Sequence, residues 1–124
     1  MNKLFGKKSA PPGQVRASHI LVKHKNSRRP ASWKSPNGIT RTEQEARAIL
    51  EGYKNEIATG KRTFAQIAKV DSDCGSAQNS GDLGFFGPGD MQKPFEEATY
   101  RLEVGEMSNI ISTDSGVHII LRTA

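Results

Sequence analysis

The order of periodic segments predicts an α+β fold: a strand, two helices, a strand, a helix and then two strands. Three observations carry that reading. Val15, Ala17, His19 and Leu21 alternate with Arg16, Ser18, Ile20 and Val22, and the β-branched content favours a strand. Capping-box spacings introduce helical repeats in the middle of the chain. Thr113-Asp114-Ser115-Gly116 joins two short apolar runs near the end, as a hairpin turn does. A long excursion between the first strand and that hairpin places the first and last strands side by side in the sheet centre. His19 and His118, both mid-strand, then face each other.

Each element has its own signal. Residues 1–14 carry Lys, Ser, Gly and Pro11-Pro12, with Leu4 and Phe5 as the only large apolar groups, and read as a tail or stiff lead-in. Val15–Val22 is the first strand. Residues 24–39 are polar, hold Pro30 and Pro36, and form a loop long enough to be functional or disordered. Thr40 with Glu43, or Thr42 with Glu45, caps a helix whose buried stripe is Ala46, Ile49, Leu50, Tyr53 and Ile57, with Gly60 as its stop. Thr63 and Gln66 cap a short helix burying Phe64, Ile67 and Ala68. Asp71 to Ser80 reads as loop, with one helical turn after Cys74. Gly81 to Phe86 is a strand, and Gly87-Pro88-Gly89-Asp90 a turn. Pro94 opens a helix with Phe95, Ala98 and Leu102 on one face and Gly105 past its end. Ser108–Ser112 and Val117–Arg122 are the closing strands.

The chain has 124 residues, enough for one domain with a real core. Its net charge of +5 is unevenly spread. Residues 1–42 hold ten Lys or Arg and no acid, whereas the other 82 residues hold eight basic and thirteen acidic side chains. No apolar run is long enough to span a bilayer, and the N-terminus lacks the apolar core of a secretory signal. A lone cysteine, Cys74, cannot form an internal disulfide or a thiolate metal site. The expectation is a soluble intracellular protein, cytoplasmic and small enough to enter a nucleus passively, monomeric because no repeated apolar face is visible.

Three constellations could carry chemistry. Lys23, Lys25, Arg28 and Arg29 follow the first strand; guanidinium forks match phosphate oxygens, but charge alone fits a solvated loop better. Nucleic acid is disfavoured, since there is no metal finger and no basic helical stripe. His19, Cys74 and His118 are either a Cys–His nucleophilic pair or a set of structural hydrogen bonds. Their scatter argues against a metal. Leu83, Phe86, Met91 and Phe95, with Gln92 among them, either wall a pocket for a small apolar ring or are ordinary core.

Ser18-His19-Ile20-Leu21-Val22-Lys23-His24 resembles the opening strand of parvulin-type peptidyl-prolyl cis/trans isomerases. Asp82-Leu83-Gly84-Phe85-Phe86, Met91-Gln92-Lys93-Pro94-Phe95-Glu96-Glu97-Ala98 and Thr113-Asp114-Ser115-Gly116-Val117-His118-Ile119-Ile120 resemble three later segments of that family. The likeness covers about residues 15–123. Lys23 with Ser27-Arg28-Arg29-Pro30-Ala31-Ser32-Trp33, and Ser72-Asp73-Cys74 later, resembles the branch directed at phosphoserine-proline and phosphothreonine-proline bonds.

The resemblance implies a small antiparallel four-stranded sheet surrounded by about four helices, with residues 15–124 as the catalytic domain and 1–14 as a basic tail. It implies that Lys23, Arg28 and Arg29 hold a phosphate, and that Leu83, Met91, Gln92 and Phe95 grip a proline ring. His19, Cys74, Thr113, Ser115 and His118 would form the polar floor, acting without covalent attack. No cofactor and no metal are implied; the partners are proteins or peptides carrying phosphorylated Ser/Thr-Pro. Alternatives are a phospho-Ser/Thr-Pro binding module with little catalysis, or a basic nucleic-acid-associated parvulin. Fourteen leading residues are too few for the WW module common in this branch, so a lone catalytic domain is expected. The Ser35-Pro36-Asn37-Gly38 stretch departs from the branch and reshapes the loop beyond the phosphate site.

Overall fold

The computed structural model describes residues 9–124. The expected tail, residues 1–14, therefore lies mostly outside the described residues. Its last part is tied down: Gln14 N–H donates to Pro11 O at 2.9 Å, and the Tyr100 hydroxyl donates to Gly13 O at 2.7 Å.

The strands are β1 (Val15–Val22), β2 (Asp82–Phe86), β3 (Ile111–Thr113) and β4 (Gly116–Arg122). They form one antiparallel sheet in the order β2-β1-β4-β3, so the first and last strands are central, as the long excursion predicts. The helices are α1 (Glu43–Ala58), α2 (Phe64–Asp71) and α3 (Lys93–Arg101), with a 3-10 helix at Gly75–Asn79 after Cys74. Both capping boxes form, at Thr42 with Glu45 and at Thr63 with Gln66.

Alternation along the central strands sorts side chains onto two faces. Ile20, Val22, Val117 and Ile119 pack under α1 and α2 with Ala46, Leu50, Phe64 and Ile67. Val15, Ala17 and Ile120 pack on the other face with Phe86, Phe95 and Leu102. His19 and His118 share the parity of this second set, so the fold delivers both imidazoles to the face covered by α3.

Several expected boundaries move: β2 starts at Asp82 rather than Gly81 and β4 at Gly116 rather than Val117. β3 is Ile111–Thr113 rather than Ser108–Ser112. The buried Ser108 hydroxyl accepts the Ile120 N–H at 2.9 Å, replacing a strand carbonyl and interrupting the ladder. Pro94 is the second rather than the first residue of α3, a position whose N–H also has no partner within the helix.

Two glycines are required by close approach. A Cβ at Gly81, whose φ is +88°, would lie 2.5 Å from the His19 carbonyl oxygen and 2.9 Å from Ala68 Cβ. That contact is used, because His19 N–H donates to Gly81 O at 3.0 Å. At Gly116, with φ +145°, a Cβ would lie 2.8 Å from Val22 O, so glycine lets the closing hairpin lie against the end of β1.

Candidate active site

The two histidines meet across the sheet. His19 pairs in register with Ile120 and Leu21 with His118, which brings the imidazoles together diagonally. Their Nδ1 atoms are 3.0 Å apart and the rings stack at 5.2 Å with an interplanar angle of 23°. One Nδ1 must donate and the other accept, so the rings hold opposite tautomers. His118 Nε2 lies 2.7 Å from Thr113 Oγ1, while the buried His19 Nε2 has no hydrogen-bond partner among the described residues. Phe95 presses edge-on against both rings, at 5.4 and 5.3 Å.

Burial sets their charge. His19 is pushed down to about 4 by desolvation, and His118 well below its ordinary value by desolvation and then by His19. Both are neutral near pH 7. They lie beneath a cavity of about 120 Å³ walled by Leu83, Met91, Gln92, Phe95 and Ser115. This has room for one small apolar ring and little more. Of the apolar candidates, Phe86 alone belongs wholly to the core.

A second, larger cleft of about 400 Å³ is lined by Lys23, Arg29, Ala31, Ser32, Trp33, Asp73 and Gly75. Arg28 and Arg29 are exposed, and among the described residues no carboxylate lies within salt-bridge distance of either guanidinium. Lys23 is held below its ordinary range, chiefly by desolvation; Arg29 and Arg28 add to that while Asp73 and Cys74 oppose it. Three cations therefore lie close together; Asp73 is the carboxylate that faces Lys23, and it is already engaged by Ser32 and Arg41. Lys23 and Arg29 share the cleft, whereas Arg28 stands beside it.

The polar loop is ordered by groups the sequence reading did not single out. Buried Asp73 accepts from Lys23 N–H at 2.9 Å, Ser32 Oγ at 2.8 Å and Arg41 Nη1 at 3.2 Å, pinning the start, middle and end of the segment. Trp33 Nε1 donates to Ser72 O at 2.9 Å, and Lys23 Nζ donates to Arg29 O and Ala31 O. Ser35-Pro36-Asn37-Gly38 forms an outward turn closed by Gly38 N–H to Ser35 O. The only clue in the sequence was an Asp within the Ser- and Gly-rich run from Asp71 to Ser80.

Cys74 does not join the histidines. Its sulfur accepts Ser76 N–H at 3.5 Å at the start of the 3-10 helix, and it has no hydrogen bond to His19 or His118. The Cys–His pair considered from sequence is thus not formed. The thiol lies between Asp73 and Gly75, two residues of the basic cleft.

Residues 19–124 match the family model described as Rotamase, PPIC-type PPIase domain. The chain belongs to the PPIC-type PPIase family. It is 57% identical over 114 residues to the peptidyl-prolyl cis-trans isomerase Pin1 of Arabidopsis thaliana, covering 90% of this chain and 96% of that one. Its likeness to Pin1 of Malus domestica is also 57%, over 118 residues, covering 93% and 98%. The solved structure of peptidyl-prolyl isomerase ESS1 from Candida albicans superposes with a TM-score of 0.90 at 51% identity, covering 94% of this chain and 66% of that one. This PPIase therefore catalyses peptidyl-prolyl cis/trans isomerisation on a parvulin fold, as the motifs imply. Its small apolar cavity lies above two neutral imidazoles.

Proposed function

We propose that this isomerase acts on prolyl bonds preceded by phosphorylated serine or threonine, by non-covalent stabilisation of the twisted amide. The observation that carries the reading is the cluster of Lys23, Arg28 and Arg29, whose two arginines pair with no carboxylate among the described residues, together with a ring-sized apolar cavity. A dianionic phosphate would relieve the mutual repulsion of the cations and take bidentate hydrogen bonds from the guanidinium forks. The residue that carries it then sits at one end of the prolyl bond and the ring at the other.

Rotation about the amide meets a barrier of about 18–20 kcal/mol because resonance holds it planar. Twisting removes that resonance, and the oxygen sheds part of its negative charge. An apolar surround of Leu83, Met91 and Phe95 favours the less polarised state. His19 and His118, kept neutral by burial, add no charge that would favour the planar form. Thr113 orients His118, and Ser115 presents a hydroxyl at the cavity wall. Such preorganised polar groups stabilise a transition state without breaking a bond. Cys74 contributes polarity near the phosphate end; no hydrogen-bonded base contacts its thiol to prepare it for attack.

Isomerisation of matched peptides with phosphoSer-Pro, Glu-Pro, Ser-Pro and Ala-Pro bonds tests the reading. A strong preference for phosphoSer-Pro, with Glu-Pro next, is expected. Equal rates on all four peptides would remove the phosphate assignment, and binding without acceleration would make the site a reader rather than a catalyst. A steep salt dependence of nucleic-acid binding that survives loss of the arginines would favour a nucleic-acid partner.

A further inference from the structure

Gln92 stands at the N-cap of α3, yet its side chain makes no capping bond to that helix. It turns instead to the β3–β4 hairpin. Its Oε1 accepts Asp114 N–H at 3.0 Å, and its Nε2 donates to Ser115 Oγ at 2.8 Å. The other end of Asp114 is also occupied: its carbonyl accepts Arg28 N–H at 2.7 Å. The exposed tip of the hairpin is thus held by the basic loop on one side and by a wall of the apolar cavity on the other. Beyond it, Ser115 N–H donates to Thr113 Oγ1, which contacts His118.

We propose that Gln92 is a positioning residue that, through the Asp114 backbone, couples occupancy of the cation cluster to the shape of the proline cavity. This rests on the phosphate reading above. Arg28 is exposed and outside the lining of the cleft, and its backbone is bonded to Asp114, so any backbone shift that accompanies phosphate capture is felt there. Lys23 Nζ holds the Arg29 and Ala31 carbonyls, which braces the loop on its other side. The displacement passes to Asp114 and from there to the Gln92 amide. The warrant is a chain of direct bonds, and a coupling measurement decides it.

Gln92→Met keeps length and cavity filling but cannot accept from Asp114 or donate to Ser115. Kinetics of this variant are measured on phosphoSer-Pro and Ala-Pro peptides, alone and combined with Arg28→Ala/Arg29→Ala. The expected result is a fall of about tenfold in the phosphoSer-Pro to Ala-Pro ratio of kcat/KM, with no further fall in the arginine-deficient background. In the wild-type protein, inorganic phosphate should shift the Gln92 side-chain amide resonance, and this shift should vanish in Arg28→Ala/Arg29→Ala. Equal losses on both peptides, or a Gln92 resonance that ignores phosphate, overturns the coupling while leaving the phosphate reading intact. A wild-type protein without preference for phosphoSer-Pro defeats both.

Discussion

The two halves of the site are built by opposite means. The apolar cavity is a packed object: central strands and α3 supply buried side chains, and two imidazoles lie against Phe95 of the fold's second core. The basic cleft is a hydrogen-bonded object, an irregular loop whose charges point outward and whose shape depends on one buried carboxylate, Asp73. Packing fixes the first half as firmly as the sheet itself. The second half can alter its charge chemistry with little cost to the fold, so on the proposed reading selectivity and catalysis would occupy parts of the molecule with different tolerances.

The comparison breaks most severely at Gly81. Gly81→Ala should cost about 4 kcal/mol, combining strain at a positive φ with a clash against the His19 carbonyl. Denaturant unfolding would measure the loss, and a value below about 1 kcal/mol would mean that the packed half is softer than described.

Acid comes next, and it attacks the same half. His19 takes up a proton near 6.5 when unfolded but only near 4 when folded. The unfolded state therefore binds more protons between these values, and stability falls as pH drops from about 6.5 toward 4. His19 alone accounts for about 3 kcal/mol at pH 4, with His118 adding in the same direction. Unfolding titrations at pH 7, 5.5 and 4 check this, and His19→Asn should flatten the profile.

Asp73→Ala probes the other half. It strands the Lys23 amide, the Ser32 hydroxyl and the Arg41 guanidinium, for an expected loss of about 2–3 kcal/mol. Phosphopeptide turnover should suffer more than Ala-Pro turnover, because the loop loses its order while the sheet stays intact. Arg28→Ala with Arg29→Ala should leave stability within about 0.5 kcal/mol, since both side chains are exposed. It should reduce kcat/KM on phosphoSer-Pro about a hundredfold, the equivalent of two charge-assisted hydrogen bonds. Ala-Pro turnover should persist. The smallest change is expected from Cys74→Asp, which keeps a polar group near Lys23 and should retain turnover within about tenfold; turnover at that level excludes covalent attack by the thiol.

Much of this was legible because it is local. Period-2 alternation in Val15–Val22 placed His19 on a definite face, and the same rule applied to Gly116–Arg122 placed His118 with it. Thr42 and Thr63 announced their helices through side chains that reach only three residues ahead. Asp73 was not legible in the same way. Its partners lie 50, 41 and 32 residues away, and no spacing rule connects them. The place of Cys74 was open for the matching reason: in one dimension a thiol and two imidazoles fit either a pair or separate hydrogen bonds, and the fold turns the sulfur onto Ser76.

The sequence by itself determined the element order, the caps, the turn residues, the split of charge and the face each strand residue occupies. These follow from backbone sterics and periodicity acting over a few residues. Only the tertiary structure decided that histidines ninety-nine residues apart share a hydrogen bond. Only it showed one carboxylate ordering the basic loop, and Asp114 standing between that loop and the proline cavity. Such contacts depend on where the closed sheet brings distant segments together, and no local rule encodes them.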